Sequence, residues 1–119
     1  MPSATARRIL VVDDDLDTAD TMAVLLRGMG HQVQFAIRGN EGLEMAREFR
    51  PEIIFLDLKL PDIDGCELAG RIRQVPGLES TILFAFTGYQ DERERALAAG
   101  CDHFLVKPVD PALVDSLLT

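Results

Sequence analysis

Four runs of apolar residues in this chain each stop at a polar residue. Ile9-Leu10-Val11-Val12 ends in Asp13-Asp14-Asp15, and Ile53-Ile54-Phe55-Leu56 ends in Asp57. Ile82 to Phe86 ends in Thr87-Gly88, and Phe104-Leu105-Val106 ends in Lys107-Pro108. Such unbroken runs suit strands that are covered on both faces. Gln32 to Ile37 differs, because polar residues alternate with Val33, Phe35 and Ile37. That pattern predicts an edge strand with one wet face. Between the strands the period changes. Met22, Leu25, Leu26 and Met29 recur at helical spacing, and Gly28 and Gly30 end that helix. Leu43, Ala46 and Phe49 mark a second helix, closed by Pro51. Asp64 is placed to cap a third, carrying Leu68, Ile72 and Val75, which Pro76-Gly77 stops. Residues 91–99 predict a short, charged fourth helix with only Ala96, Leu97 and Ala99 to bury. Asp110-Pro111 opens a fifth, Asp as cap and Pro at the first helical position.

Five strand–helix units joined by short connections predict an α/β fold, a doubly wound parallel sheet. The order 2-1-3-4-5 puts the alternating second strand at an edge and sets strands 1 and 3 side by side at the switch point. Asp13, Asp14 and Asp57 then converge at the carboxyl ends of those strands, where sheets of this kind bind ligands. If all four ends meet, the site holds several carboxylates, one hydroxyl and one ammonium. That set suits a divalent cation and a phosphoryl group.

Composition narrows the setting. The chain has 119 residues, 47% of them apolar, which fits one domain with a single buried core over residues 1–119. Residues 1–7 are expected to be a flexible tail. No apolar stretch approaches ~20 residues, so no membrane insertion is expected. Met1 to Arg8 lacks an apolar signal core, which points to the cytoplasm. Cys66 and Cys101 stand far apart without metal-type spacing and are read as reduced and buried. A net charge of −8 disfavours direct nucleic-acid binding, which needs a basic face.

Val12-Asp13-Asp14, Asp57, Leu60-Pro61-x-x-Asp64-Gly65, Thr87-Gly88 and Lys107-Pro108 together resemble the receiver domain of two-component response regulators. The resemblance runs from about Arg8 to Leu118, with all five motifs in order at strand ends. It implies the flavodoxin-like (βα)5 fold. It further implies that Asp57 accepts a phosphoryl group from a histidine kinase or a histidine phosphotransfer domain. Asp13, Asp14, Asp57 and the backbone carbonyl of Lys59 would then hold Mg²⁺, with Mn²⁺ able to substitute. Lys107 would pair with Asp57 at rest and with the phosphoryl oxygen afterwards, and Thr87 would donate its hydroxyl to that oxygen. Phe104 stands at the aromatic switch position, three residues before Lys107. Tyr89 would stand over the site mouth. The resemblance implies a switch acting through its fourth helix, fifth strand and fifth helix, as a monomer or weak dimer, and not a metabolic enzyme. The stretch from Thr87 to Pro111 is similar to receivers fused behind hybrid sensor histidine kinases, a context slightly favoured over a stand-alone regulator.

Plainer readings apply elsewhere. Asp15 is a helix-start or outer-shell acid. His31 and His103 lie on no exposed helix face and are given no phosphotransfer role. Arg71, Arg73, Arg93 and Arg95 read as solvated helix faces. Two other classes fit less well. A phosphatase of the haloacid dehalogenase type needs a second acid two residues after the nucleophile, where this chain has Lys59. A flavin- or nucleotide-binding module needs a Gly- or Ser/Thr-rich loop after the first strand, where Asp13-Asp14-Asp15 would repel phosphate.

Overall fold

The computed structural model describes residues 6–88, 92–107 and 110–118. Strands β1 (Arg8–Val12), β2 (Gln32–Ala36), β3 (Ile53–Asp57), β4 (Ile82–Thr87) and β5 (His103–Val106) alternate with helices α1 (Leu16–Gly28), α2 (Gly39–Phe49), α3 (Gly65–Arg73), α4 (Arg93–Ala98) and α5 (Pro111–Leu118). All strands pair in parallel, in the order β2-β1-β3-β4-β5. The doubly wound parallel sheet expected from the strand patterns, and the flavodoxin-like order implied by the resemblance, are therefore what is observed.

Alternation along each strand divides the core into two layers. Leu10, Val12, Ile54, Leu56, Leu83 and Ala85 face α2, α3 and α4, while Ile9, Val11, Ile53, Phe55, Phe84 and Phe86 face α1 and α5. Every residue of β3 is buried. Phe55 stacks on Phe84 with centroids 4.8 Å apart and meets Phe86 edge-on at 6.3 Å. Truncating a ring so enclosed, as in Phe55→Ala, costs about 3–5 kcal/mol.

The helix ends follow local chemistry. Asp15 caps α1 by accepting the Asp17 N–H, and Asp64 caps α3 by accepting the Cys66 N–H. Asp110 accepts the Ala112 N–H at the start of α5. The start of α2 is different. Arg38 offers no side-chain cap, and Asp62 supplies one from the loop after β3, accepting the Gly39 and Asn40 N–H groups at 2.8 and 2.9 Å.

Some expectations shift. α4 is only six residues long, and of its three predicted core residues Ala96 is buried, Ala99 is partly so, and Leu97 is exposed. A helix this short cannot turn all three inward. Ile37 lies beyond the end of β2 and is also exposed. Cys101 is buried but Cys66 only partly. Arg73 is no solvated charge. It donates to the carbonyls of Thr81, Glu79 and Gly100 and pairs with Asp102, tying the end of α3 to the turns before β4 and β5.

Candidate functional site

The carboxyl ends of β1, β3, β4 and β5 meet at one place. Asp13 follows β1 and is fully buried, with Oδ1 accepting the Asp15 N–H at 3.0 Å. Asp57 ends β3 and is 5% exposed, with Oδ1 accepting the Lys59 N–H at 3.0 Å. Lys107 follows β5 and reaches both acids, its Nζ lying 2.8 Å from Asp13 Oδ2 and 3.2 Å from Asp57 Oδ2. The sequence reading paired it with Asp57; Asp13 is the shorter contact. The ammonium also sits 4.9 Å from the centroid of the Phe86 ring, which favours a cation on its face. Thr87 ends β4, buried, and its carbonyl accepts the Lys107 N–H at 2.7 Å.

Asp13, Asp14 and Asp57 each bring a carboxylate oxygen within 4.8 Å of the others. Two unit charges at that separation repel by about 3 kcal/mol at an effective dielectric near 20. One ammonium cannot neutralise three such groups. The unbalanced oxygens, with Asp14 exposed to solvent, form a donor set of the hard type that divalent cations such as Mg²⁺ prefer. Burial pushes the Asp57 carboxyl up to about 6, with the Lys59 N–H opposing and the Asp13 charge reinforcing the rise. For Lys107 burial works against the charge, yet the hydrogen bond to Asp13 and the charges of Asp57 and Asp13 leave it above the ordinary lysine value.

The loop after Asp57 is held in shape by backbone. The Gly65 N–H donates to Leu58 O at 3.1 Å, and Lys59 pairs with Asp64 in an isolated antiparallel bridge. A methyl group on Gly65 would lie 2.5 Å from Leu58 Cα and 2.6 Å from Asp57 O, so only glycine fits against the strand end. Above this loop lies an ionic cluster that strand-end patterns did not reveal. Glu92, 8% exposed, meets Lys59 at 3.3 Å and Arg95 at 2.8 Å, and Arg95 also pairs with Asp64. Arg95 therefore bridges α4 to the start of α3 and is not simply solvated. Its one local signal is the Glu92–Arg95 spacing of three.

Phe104 is half-buried, packed against the core layer of α2, α3 and α4. Tyr89 lies outside the described residues. Asp15 is exposed and serves the start of α1, where Thr18 also donates to it at 2.8 Å. His31 is buried and its Nδ1 accepts the Arg7 N–H at 3.0 Å, a structural role. His103 stacks on Phe84 at 4.6 Å.

The fold and site together define a doubly wound α/β domain with an acid cluster and a lysine at the carboxyl ends of its parallel strands, the place where such sheets bind ligands. The response regulator receiver domain family matches residues 9–118, and the chain belongs to it. It is 39% identical over 105 residues to an uncharacterised 14.6 kDa protein of Leptolyngbya boryana, covering 87% of this chain and 80% of that one. It is 36% identical over 110 residues to the transcriptional regulatory protein AfsQ1 of Streptomyces coelicolor, covering 91% of this chain. There it spans about half the regulator's length, 48%. Among solved structures, the receiver domain of a sensor histidine kinase from Pseudomonas aeruginosa PAO1 superposes with a TM-score of 0.87 at 28% identity, covering 95% of this chain and 94% of that one. That structure has a magnesium ion coordinated in its active-site cleft. No helix among the described residues is long and apolar enough to cross a membrane.

Proposed function

We propose that this receiver domain is a phosphorylation switch in which Asp57 takes a phosphoryl group from a phosphohistidine on a histidine kinase or phosphotransfer domain. The observation that carries the reading is the Asp57 carboxylate itself, nearly buried, raised to about 6, and set between a lysine ammonium and two further acids. In the transfer an Asp57 oxygen forms a bond to phosphorus, the N–P bond of the phosphohistidine breaks, and the imidazole leaves. A carboxylate is a weak nucleophile, so position and charge neutralisation supply the rate. Backbone rigidity around Leu58 and Gly65 holds the acid. Lys107 is free to exchange its Asp57 contact for a phosphoryl oxygen while keeping Asp13. Mg²⁺ (or Mn²⁺), held by Asp13, Asp14, Asp57 and the Lys59 backbone carbonyl, would neutralise the acid cluster and the incoming phosphoryl oxygens.

The new charge then reaches the signalling face. Thr87 turns its hydroxyl to a phosphoryl oxygen, and Phe104 moves further into the space that the threonine leaves. The face of α4, β5 and α5 repacks around it. The chain is similar both to a transcriptional regulatory protein and to the receiver domain of a sensor histidine kinase, and in this proposal the same face serves in either setting. Incubation with a small acyl-phosphate donor and Mg²⁺ should add one phosphate by mass spectrometry. The label should vanish in Asp57→Asn and without Mg²⁺. Labelling that persists in Asp57→Asn would remove the assignment.

A further inference from the structure

We infer that the amino-terminal end of the sheet, opposite Asp57, carries a second anion site that takes a phosphate or phosphomonoester dianion between Arg7, Arg8 and Arg50. A cavity of about 310 Å³ opens there between the starts of β1, β3 and β4, lined among others by Arg7, Arg8, Arg50, Glu52, Ser80 and Thr81. That volume lies at the small end of the range for small-molecule sites.

The charge around it runs against the rest of the molecule. Three guanidinium groups and one carboxylate line the cavity, a local balance of +2 in a chain of −8. A dianion neutralises it; a single carboxylate does not. Glu52 is a loose partner. Its contacts with Arg7 and Arg8 are 3.9 and 3.8 Å, beyond hydrogen-bond distance, and its Oε1 is engaged by the Arg8 backbone N–H at 3.3 Å. Arg7 Nε is buried without a hydrogen-bond partner among the described residues. A buried donor of this kind leaves the Arg7 side chain incompletely satisfied where that residue borders the cavity.

Arg50 is set in place by backbone. Its φ of 53° puts it in the left-handed region, the one non-glycine residue there among those described. Its carbonyl accepts from Arg8 Nε at 2.9 Å, and its own Nη1 donates to Pro76 O at 3.3 Å. The guanidinium lies against Gly77, where a Cβ would meet Nη1 at 2.0 Å. A planar fork held this way has less freedom to lose on binding, and it matches the paired oxygens of a phosphoryl group.

The test uses the ¹⁵N-labelled full chain at pH 7.5 and fixed ionic strength, with a chelator to keep the metal site out of play. Inorganic phosphate and glycerol phosphate are titrated against sodium chloride. Saturable amide shifts should appear at Arg8, Glu52, Gly77 and residues 80–82 while Asp57 and Thr87 stay unmoved. Arg50→Asn, which tolerates the left-handed backbone, and Arg7→Gln should each weaken the midpoint by about tenfold. Equal midpoints for the two anions would identify free phosphate as sufficient; a lower midpoint for the ester would place its organic part in the cavity. Shifts that do not saturate, that chloride reproduces, that centre on Lys107, or that both variants leave unchanged would overturn the site.

Discussion

Replacing Asp57 by Asn isolates the energetic consequence of burying an acid beside other acids. In the folded chain the Asp57 carboxyl stands at about 6, above its ordinary 3.8, chiefly because burial disfavours the charge. A group whose folded value is raised contributes stability that is fully present below the unfolded value and lost as pH rises through the folded one. Here the window is about pH 4 to 6. A displacement of about two units corresponds to about 3 kcal/mol. Asn keeps the size and can still accept the Lys59 N–H, but it does not ionise. Urea unfolding of both proteins in chelator, from pH 4 to 7.5, reads the difference directly. The balance should move in favour of Asp57→Asn by about 3 kcal/mol across that window and then level off. Carboxylates remote from the acid cluster are common to both chains and largely cancel. A difference that stays flat with pH, or moves the opposite way, would refute the account of Asp57 as a charge held against its desolvation cost.

Three further outcomes test the acid cluster and the switch. Mg²⁺ at about ten times its Kd should stabilise the wild-type chain by about 1.4 kcal/mol through mass action. Asp14→Ala should raise the metal-free melting temperature by relieving repulsion and should lose the Mg²⁺ response; an unchanged response would remove Asp14 from the ligand set. In Thr87→Ala, beryllofluoride should still shift amides around Asp57, but shifts around Phe104 and α4 should shrink. Equal shifts there in both proteins would show that Thr87 does not carry the coupling.

The strands and the acid cluster were legible because both are local. Continuous apolar runs of this length read as buried strands, and their last residues announce the site; β3 and β4 are covered on both faces as that reading expects, whereas β5, at the sheet edge, is only half-covered. Asp13, Asp57, Thr87 and Lys107 each occupy such an end, so the topology alone brings them together. Asp62 capping α2, Arg73 bracing two turns, and Glu92 gathering Lys59 and Arg95 have no comparable signature. Two of these join segments more than twenty residues apart, and Glu92 reaches Lys59 over a greater distance, so their partners exist only once the chain is folded. Leu97 failed for another reason. The buried face of α4 is set by its packing against β5, and six residues are too few for the apolar pattern to fix it.

β3 and β5 differ in how firmly they are mounted. β3 is enclosed along its whole length, whereas β5 is an edge strand with a half-covered face and a neighbouring helix that buries one residue. In mechanical terms Asp57 stands on the stiff floor of the molecule and faces a compliant wall. A load applied at the floor is not absorbed there, because displacing β3 would disturb both core layers at once. Under the proposed switch it would be relieved on the more weakly packed side, that of β5 and α4. The direction of yielding in such a switch would then be set by the packing contrast between two strands of one sheet.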